Sequence, residues 1–284
     1  MLLPKKVLIA EVSPRDGLQN EEVIIPTDIK IQFIELLTQA GFPIIEATAF
    51  VNPKKIPALA DHEAILKNFH STKKTKYSAL IPNAQGLTKA IECGCDYISV
   101  LTTVSETFSQ KNINCSIDES LKRIAEIIKI AKPKNIFIRA YISCTLGCPY
   151  EGLIAAENTA KLAKKLLAME CDEIALADTI GTGTPETATA LIHAVAQWVP
   201  TEKIAIHFHD TYQRAIANIS TCLQLGISKI DSSVGNLGGC PYAKGATGNV
   251  ATEDVLQLLN ELNIETGINL KKVIEAKEFI RGYL

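Results

Sequence analysis

Two histidines separated by one residue form the pattern in this chain that most directly suggests chemistry. His207 and His209 end the apolar run KIAIHFH at residues 203–209. Side chains alternate between the two faces of a strand, so both imidazoles are expected on one face and Phe208 on the other. Neutral imidazole is the commonest metal ligand in proteins. The pattern predicts a metal site at the end of a strand, and the alternative interpretation is a pair of ordinary polar histidines.

The elements that must position these residues are visible as a repeating pattern. Short apolar, β-branched segments alternate with longer segments in which apolar residues recur every three or four positions. The short segments predict eight strands, at residues 7–12, 44–48, 76–81, 97–102, 135–143, 173–177, 203–209 and 229–233. Eight apolar strands alternating with helices favour an α/β fold of the (β/α)8 TIM-barrel type. An open doubly wound sheet is the alternative, but it usually carries a glycine-rich turn after its first strand, which is missing here.

The helical segments complete this prediction. The clearest lie at residues 27–40, 117–131, 159–169, 185–199 and 212–225. Pro185 stands where a first-turn proline belongs, after Thr184 as a possible cap. Residues 249–284 predict the last barrel helix followed by an extra C-terminal helical segment. With no linker in the sequence, residues 1–284 are predicted to form a single catalytic barrel domain.

Composition excludes several classes of function. The chain has 284 residues, of which 47% are hydrophobic and 21% charged, with a net charge of −2. The sequence has no block of like charges of the kind that indicates nucleic-acid binding. It also has no apolar run that approaches the roughly 20 residues of a membrane span. Only residues 1–6 precede the first predicted strand, and a targeting segment needs more residues than that. A cytoplasmic location is therefore predicted. The eight cysteines are expected to be free, since a disulfide framework is improbable in an unsecreted chain of this size.

Polar residues stand repeatedly at the carboxyl ends of the predicted strands, where barrels of this type carry their chemistry. Glu11, Glu46 and Arg139 interrupt apolar strands and therefore need partners or a ligand. The alternative for these three is a structural ion-pair network in the barrel mouth. Arg15 and Asp16 follow the first strand, where the alternative is a solvated turn.

Five motifs in order make the pattern specific. They are SPRDGLQNE at 13–21, KNINCS at 111–116, SCTLGCPYEG at 143–152, HFHDT at 207–211, and GGCPYA at 238–243 followed by GN at 248–249. Together they resemble the 3-hydroxy-3-methylglutaryl-CoA (HMG-CoA) lyase family, and the resemblance runs from about Val7 into the C-terminal region. Related condensing enzymes and oxo-acid aldolases share the Arg-Asp pair and the two histidines. The glycine-rich GGCPYA loop and the GLQNE extension favour the lyases.

The resemblance implies a divalent-cation-dependent retro-Claisen cleavage of HMG-CoA to acetyl-CoA and acetoacetate, as in leucine degradation and ketone-body formation. Asp16, His207, His209 and Asn249 would bind the cation, and this mixed oxygen and nitrogen set suits Mg²⁺ or Mn²⁺. The implied partner is an acyl-CoA substrate, and relatives of this kind are often homodimers. The alternative is a related acyl-CoA lyase, condensing enzyme or oxo-acid aldolase using the same metal site.

The resemblance also implies catalytic roles. Arg15 would stabilise the thioester oxygen as it becomes an enolate, because its charge is permanent. Asp16 is the leading candidate for the general base, with His207 as the alternative. Cys240 would donate a proton to the enolate carbon from a glycine-rich loop that closes over the substrate; the alternative is a buried loop cysteine. Glu46 would orient the cation's water or pair with Arg15.

Substrate contacts are expected from further positions. Gln19 and Thr179 lie in loops that would reach the acyl group, and Lys111 and Asn112 are candidates for the CoA phosphates. Glu11 and Arg139 would support the metal ligands from within the barrel.

The chain departs from its relatives beside the strand-2 glutamate, where Ala47 and Ala49 partly replace common hydroxyl residues. Because of these two alanines, the sequence does not decide which acyl group the substrate carries. A non-catalytic barrel that only binds a metabolite is the remaining alternative, but it should have lost a metal ligand or the Arg-Asp pair, and the sequence retains both.

Overall fold

Eight parallel strands close into a barrel in the computed structural model of this protein, which describes residues 3–238 and 248–284. The strands are β1 (Leu8–Glu11), β2 (Ile44–Ala49), β3 (Lys76–Leu80), β4 (Tyr97–Thr103), β5 (Phe137–Ser143), β6 (Glu173–Asp178), β7 (Ile204–Phe208) and β8 (Lys229–Ser232). Each strand pairs with the next along the chain, and β8 pairs with β1 from Leu8 opposite Lys229 to Glu11 opposite Ser232. The predicted (β/α)8 TIM barrel is therefore confirmed.

Helices surround this barrel. Among the described residues they are α1 (Thr27–Ala40), α2 (His62–Lys67), α3 (Ala84–Glu92), α4 (Glu106–Ile113), α5 (Ile117–Ala131), α6 (Ala156–Ala168), α7 (Pro185–Ala196), α8 (Ala215–Gln224), α9 (Thr252–Glu261) and α10 (Leu270–Arg281). The predicted cap of α7 is confirmed, since the Thr184 hydroxyl accepts from the backbone N–H of Thr187, with Pro185 first in the helix. The predicted helix at 212–225 begins three residues late, because Asp210 accepts a hydrogen bond from the backbone N–H of Ala215.

Strand alternation separates an outer and an inner layer of side chains. On β7, Ile204, Ile206 and Phe208 join the large core that packs the sheet against the helices. Ala205, between them, belongs to a small separate cluster with Tyr141 and Ala175. Because His207 and His209 share the parity of Ala205, both face the barrel interior, as the sequence predicted.

The extra C-terminal segment is helix α10, which packs against α1. The backbone N–H of Asn269 donates to the carbonyl of Ala40, at the end of α1. Gly41 follows with φ at +96°, and a Cβ there would lie 2.9 Å from the carbonyl oxygen of Gly267. Glycine is required at this position both by the left-handed backbone and by the close approach.

Within the described residues, no helix is long and apolar enough to cross a membrane.

Glu11, at the end of β1, joins three segments at the carboxyl end of the barrel. Its carboxylate accepts hydrogen bonds from the backbone N–H groups of Ser13 and Val234 and from the hydroxyl of Thr252. These bonds tie the loop after β1 to the turn after β8 and to the start of α9. Burial raises the pKa of Glu11 to about 7, although each of these hydrogen bonds lowers it.

We predict that Glu11→Gln changes the pH dependence of stability. The unfolded carboxyl has a pKa of 4.5, so the buried acid stabilises the fold below that pH and loses the contribution as pH rises through about 7. The loss is on the order of 3 kcal/mol. Glutamine does not ionise, so urea unfolding at about pH 5 and pH 8 should show a smaller decrease for the variant. Parallel pH profiles for the two proteins would contradict this assignment.

Candidate active site

Three ligand-type side chains meet at the carboxyl end of the barrel. Asp16 follows β1, while His207 lies next to the last residue of β7 and His209 follows the strand. Their carboxylate oxygen and ring nitrogens all lie within 4.8 Å of one another. A carboxylate and two imidazoles at this spacing fit a divalent cation.

A tight turn after β1 places Arg15 and Asp16. The backbone N–H groups of Arg15, Asp16 and Gly17 all point to the carbonyl oxygen of Val12. This compact turn carries both side chains over the barrel mouth instead of into solvent, and Arg15 is buried. The alternative of a solvated turn is therefore wrong for Arg15.

Asn249 reaches the same place from a different part of the chain. The segment 248–251 runs beside the end of β7, with Asp210 N–H donating to Gly248 and Val250 N–H donating to Phe208. The Asn249 amide then donates to Oδ2 of Asp16 at 2.9 Å. The fourth predicted ligand thus lies beside the group formed by Asp16, His207 and His209.

Gly238 makes this approach possible. Its φ is +95°, and a Cβ there would lie 2.8 Å from Nδ2 of Asn249 and 3.1 Å from the carbonyl oxygen of Asp16. A side chain at residue 238 would push apart the two segments that carry Asp16 and Asn249.

Arg15 is held by two carboxylates. Its guanidinium pairs with Asp16 and with Glu46, and the hydroxyl of Ser99 donates to the other oxygen of Glu46. Burial lowers the pKa of Arg15, but Asp16 and Glu46 raise it above its ordinary value, so the guanidinium stays charged. Of the two roles predicted for Glu46, the structure contains the pairing with Arg15.

Electrostatics set the protonation of the ligand group. Burial raises the pKa of Asp16, but Arg15, His207 and His209 together hold it well below its usual range. Burial also lowers the pKa of His209 to about 4, so this imidazole is neutral near neutral pH. An ionised carboxylate and a neutral imidazole are the forms that bind a cation.

A line of ion pairs continues from this group into the barrel. His207 Nδ1 lies 3.2 Å from Asp231, whose other oxygen accepts from Arg139 at 2.6 Å. Arg139 also pairs with Glu173 at 3.1 Å, and Glu173 pairs with Lys229. Arg139 was predicted to require partners inside the barrel, and the network supplies Asp231 and Glu173. Burial raises the pKa of Asp231, but Arg139 and His207 hold it below its ordinary value.

This line carries more negative than positive charge. Four carboxylates share it with three basic side chains, namely Asp16, Glu46, Glu173 and Asp231 with Arg15, Arg139 and Lys229. In addition, Nδ1 of His209 is buried and has no hydrogen-bond partner within the described part of the chain. Buried charge and buried polar atoms are costly unless they are compensated. Both observations fit a cation bound between Asp16 and the two histidines.

A cavity of about 440 Å³ opens at this group. Its lining includes seven of the residues predicted from the sequence: Arg15, Asp16, Gln19, Asn112, Thr179, His207 and His209. An apolar wall is added by Val51, Ile56, Leu80 and Leu101. A cavity of this size with convergent polar groups is typical of a small-molecule site.

Two predicted residues lie away from the cavity surface. Lys111 is outside the cavity lining, and its ammonium group is 3.9 Å from the ring centroid of Tyr150. Glu46 lies behind Arg15 instead of on the cavity surface. Cys240, with most of its glycine-rich loop, falls outside the described residues.

Sequence reasoning missed Asp231, Tyr141, Ser99 and Arg123. Asp231 carried the same signal as Glu46 and Arg139, a charged residue inside an apolar strand, and could have been found by it. Tyr141 lines the cavity and donates to Asp231 at 2.8 Å. Arg123 also lines the cavity, but nothing in its helical pattern distinguishes it from the surface charges around it.

Comparison with known proteins agrees with this geometry. The model of the HMGL-like family matches residues 6–280. The chain belongs to this family. It is 51% identical over 278 residues to hydroxymethylglutaryl-CoA lyase, mitochondrial, of Mus musculus, covering 98% of this chain and 86% of that protein. It is also 51% identical to 3-hydroxy-3-methylglutaryl-CoA lyase, cytoplasmic, of Homo sapiens, covering 98% of this chain and 75% of that protein.

Solved structures extend the likeness to the whole barrel. Hydroxymethylglutaryl-CoA lyase from Pseudomonas aeruginosa superposes with a TM-score of 0.97 at 47% identity, covering 99% of this chain and 94% of that chain. An HMG-CoA lyase from Acinetobacter baumannii, solved in complex with coenzyme A and 3-methylmalate, has a TM-score of 0.94 at 32% identity. That match covers 100% of this chain and 92% of the other.

We predict that His209→Ala weakens the binding of Mn²⁺ by more than about 10-fold, since even the loss of a group that orients a metal ligand costs 10- to 100-fold. Titration of the protein with Mn²⁺, followed by the electron paramagnetic resonance (EPR) signal of the free ion, measures this directly. His193→Ala, on the exposed face of α7, is the matched control and should bind Mn²⁺ as the unaltered protein does. Equal affinity in all three proteins would remove His209 from the ligand set.

Proposed function

We propose that this protein cleaves HMG-CoA to acetyl-CoA and acetoacetate in a divalent-cation-dependent retro-Claisen reaction. The observation that carries the proposal is the meeting of Asp16, His207 and His209 beside the charged Arg15 in one cavity. The relatives at 51% identity bear the name of this activity. The oxo-acid aldolase alternative has no comparable support.

The reaction starts from a tertiary alcohol whose proton must be removed. Asp16, His207 and His209, with Asn249 beside them, would hold Mg²⁺ or Mn²⁺. The bound cation would orient the hydroxyl and carboxylate of the substrate and lower the pKa of the hydroxyl. The low pKa of Asp16 favours its role as a ligand over its role as the general base. His207, the other candidate for the base, presents Nε2 to the same space, 3.8 Å from Asp16, and this nitrogen can accept a proton only while it is not bound to the cation.

Arg15 meets the second requirement of the chemistry. Breaking the carbon–carbon bond leaves the enolate of acetyl-CoA, whose negative charge develops on the thioester oxygen. A guanidinium that is buried, permanently charged and held in place by Glu46 stabilises such an oxyanion without rearrangement during the reaction. Ser99 fixes Glu46 from the far side, so Arg15 is positioned by a chain of two contacts.

Protonation of the enolate carbon completes the reaction. We assign this step to Cys240, since a thiol can deliver a proton to carbon and the glycine-rich sequence around it suits a loop that closes over substrate.

The remaining cavity surface suits the rest of the substrate. Gln19 and Thr179 line the same cavity as Arg15 and His207, and we assign them to the acyl group. Asn112, exposed Lys55 and half-buried Arg123 line the same cavity, and we assign them to the CoA phosphates and pantetheine. Lys111, placed beside Tyr150, is the weaker candidate for a phosphate contact.

The two alanines that distinguish this chain lie behind the surface of the cavity. Ala47 packs in the core between sheet and helices, and Ala49 lies in a small apolar cluster with Leu59 and Leu80. Neither lines the cavity among the described residues. Ala49 packs against the apolar wall of the cavity, because Val51, Ile56 and Leu80 belong both to its cluster and to the cavity lining.

Three expectations from the sequence and its resemblance stay predictions. The reaction would serve leucine degradation and ketone-body formation, and the working form would be a homodimer. A cytoplasmic location stays a prediction, since the relatives include proteins named cytoplasmic and proteins named mitochondrial.

We predict that acetoacetate is released from HMG-CoA when Mg²⁺ or Mn²⁺ is present and that chelation of the cation stops the release. Arg15→Gln should lower kcat by about 10²- to 10³-fold, the usual cost of losing one group that stabilises an oxyanion. Thermal unfolding of the variant serves as the control for folding. Absence of cleavage with either cation in folded protein would overturn the proposed function, and near-normal turnover in Arg15→Gln would remove its assigned role.

We predict that Cys240→Ser binds Mn²⁺ normally but turns over about 10²- to 10⁴-fold more slowly, because a serine hydroxyl is a far weaker acid than a thiol. Mn²⁺ titration and acetoacetate release measure the two properties separately. Cys222→Ser is the control for loss of a cysteine away from the site, since Cys222 lies buried in α8. Full activity in Cys240→Ser would place the proton donor elsewhere.

A further inference from the structure

We propose that Asp231 is a positioning residue that holds His207 in the one tautomer and orientation in which Nε2 faces the cation. The proposal rests on the cation dependence of the proposed function. It assigns a role to a carboxylate that does not itself belong to the ligand group.

The two nitrogens of His207 face different partners. Nδ1 lies 3.2 Å from Oδ2 of Asp231, inside the barrel, and Nε2 lies 3.8 Å from Oδ2 of Asp16, at the cavity. An ionised carboxylate only accepts hydrogen bonds, so Nδ1 must carry the proton of the neutral ring. Nε2 is then left with a lone pair directed toward Asp16, which is the form a metal ligand requires.

Asp231 is itself fixed on both oxygens. Arg139 donates to Oδ1 at 2.6 Å, and the hydroxyl of Tyr141 donates to Oδ2 at 2.8 Å. The residue is 1% exposed, so water cannot substitute for these donors. A carboxylate held in this way cannot follow His207 if the imidazole turns, and it therefore defines the direction of the ring.

Tyr141 restricts the ring a second time. Its aromatic ring meets that of His207 edge to face, with centroids 5.7 Å apart and an interplanar angle of 81°. Rotation of the imidazole about its bond to Cβ would bring it against this ring. The same tyrosine thus holds the carboxylate through its hydroxyl and limits the histidine through its ring.

His209 has no equivalent support. Its Nδ1 is buried without a hydrogen-bond partner among residues 3–238 and 248–284. The two histidines are therefore unequal among the described residues: Nδ1 of His207 meets a carboxylate, and Nδ1 of His209 has no hydrogen-bond partner. This difference makes His209 an internal reference for any measurement on His207.

Glu173 offers a matched control for Asp231. Both are buried carboxylates on barrel strands and both pair with Arg139, Glu173 at 3.1 Å and Asp231 at 2.6 Å. Only Asp231 also touches His207. Asp231→Asn and Glu173→Gln therefore each remove one negative charge from the same network. Only Asp231→Asn takes the carboxylate from His207, while Glu173→Gln takes it from Lys229.

The first experiment is Mn²⁺ titration by EPR of both variants without substrate. Asp231→Asn should weaken Mn²⁺ binding by about 10- to 100-fold, the usual cost of losing a group that orients a metal ligand. Glu173→Gln should change the affinity by less than about threefold, although its unfolding midpoint falls comparably. Equal weakening in the two variants would show a general effect of charge, and unchanged affinity in Asp231→Asn would overturn the positioning role.

The second experiment reads the tautomer in the unaltered protein and uses a variant only to assign the signals. Nitrogen NMR of histidine-labelled, metal-free protein at about pH 8, where an ordinary imidazole is neutral, reports which nitrogen of each ring carries the proton. His207 should show a single tautomer protonated at Nδ1, and His207→Gln assigns its signals by their loss. A mixture of tautomers, or protonation at Nε2, would overturn the proposal.

These measurements are independent of turnover. If the protein binds Mn²⁺ and shows the expected tautomer but releases no acetoacetate, the proposed function fails and the role of Asp231 stands. If acetoacetate is released normally while the tautomer is wrong, the role of Asp231 fails and the function stands.

Discussion

A line of buried charges runs through the barrel from Lys229, at the start of β8, to Arg15 above the carboxyl ends of the strands, and the site depends on it. Neighbours along the line pair in turn: Lys229 with Glu173, Glu173 with Arg139, Arg139 with Asp231, Asp231 with His207, His207 with Asp16, and Asp16 with Arg15. Charges taken out of water destabilise a fold unless each is compensated. Every member therefore constrains its neighbours.

The excess of carboxylates along this line indicates that a cation would stabilise the fold as well as take part in the proposed reaction. Arg15 already uses its charge on Asp16 and Glu46, and Arg139 on Asp231 and Glu173. The uncompensated negative charge falls where Asp16 meets the two histidines. A divalent cation at that point would offset the charge and would also supply the Lewis acid of the proposed cleavage. The stability of the site and the proposed catalysis would then depend on the same ion.

Close backbone contacts complete the site. Asp16 and Asn249 come from opposite ends of the chain, and Gly238 lets their segments approach within a distance that a Cβ would prevent. Glu11 ties the loop that carries Arg15 to the turn after β8. Glu11 therefore supports the ligands through the backbone of their loops. Arg139 supports them through side chains, by way of Asp231.

The sequence by itself determined the barrel, because strand and helix periodicities are local properties of the chain. For the same reason it determined that His207 and His209 point to one face of their strand. It also determined which residue types are available for chemistry. The resemblance of its motifs supplied the reaction. Only the tertiary structure decided which charges meet. Asp231 stands 24 residues from His207, and Glu46 stands 31 residues from Arg15. These partners are set by strand register and barrel closure, which bring together the ends of strands that no local pattern connects.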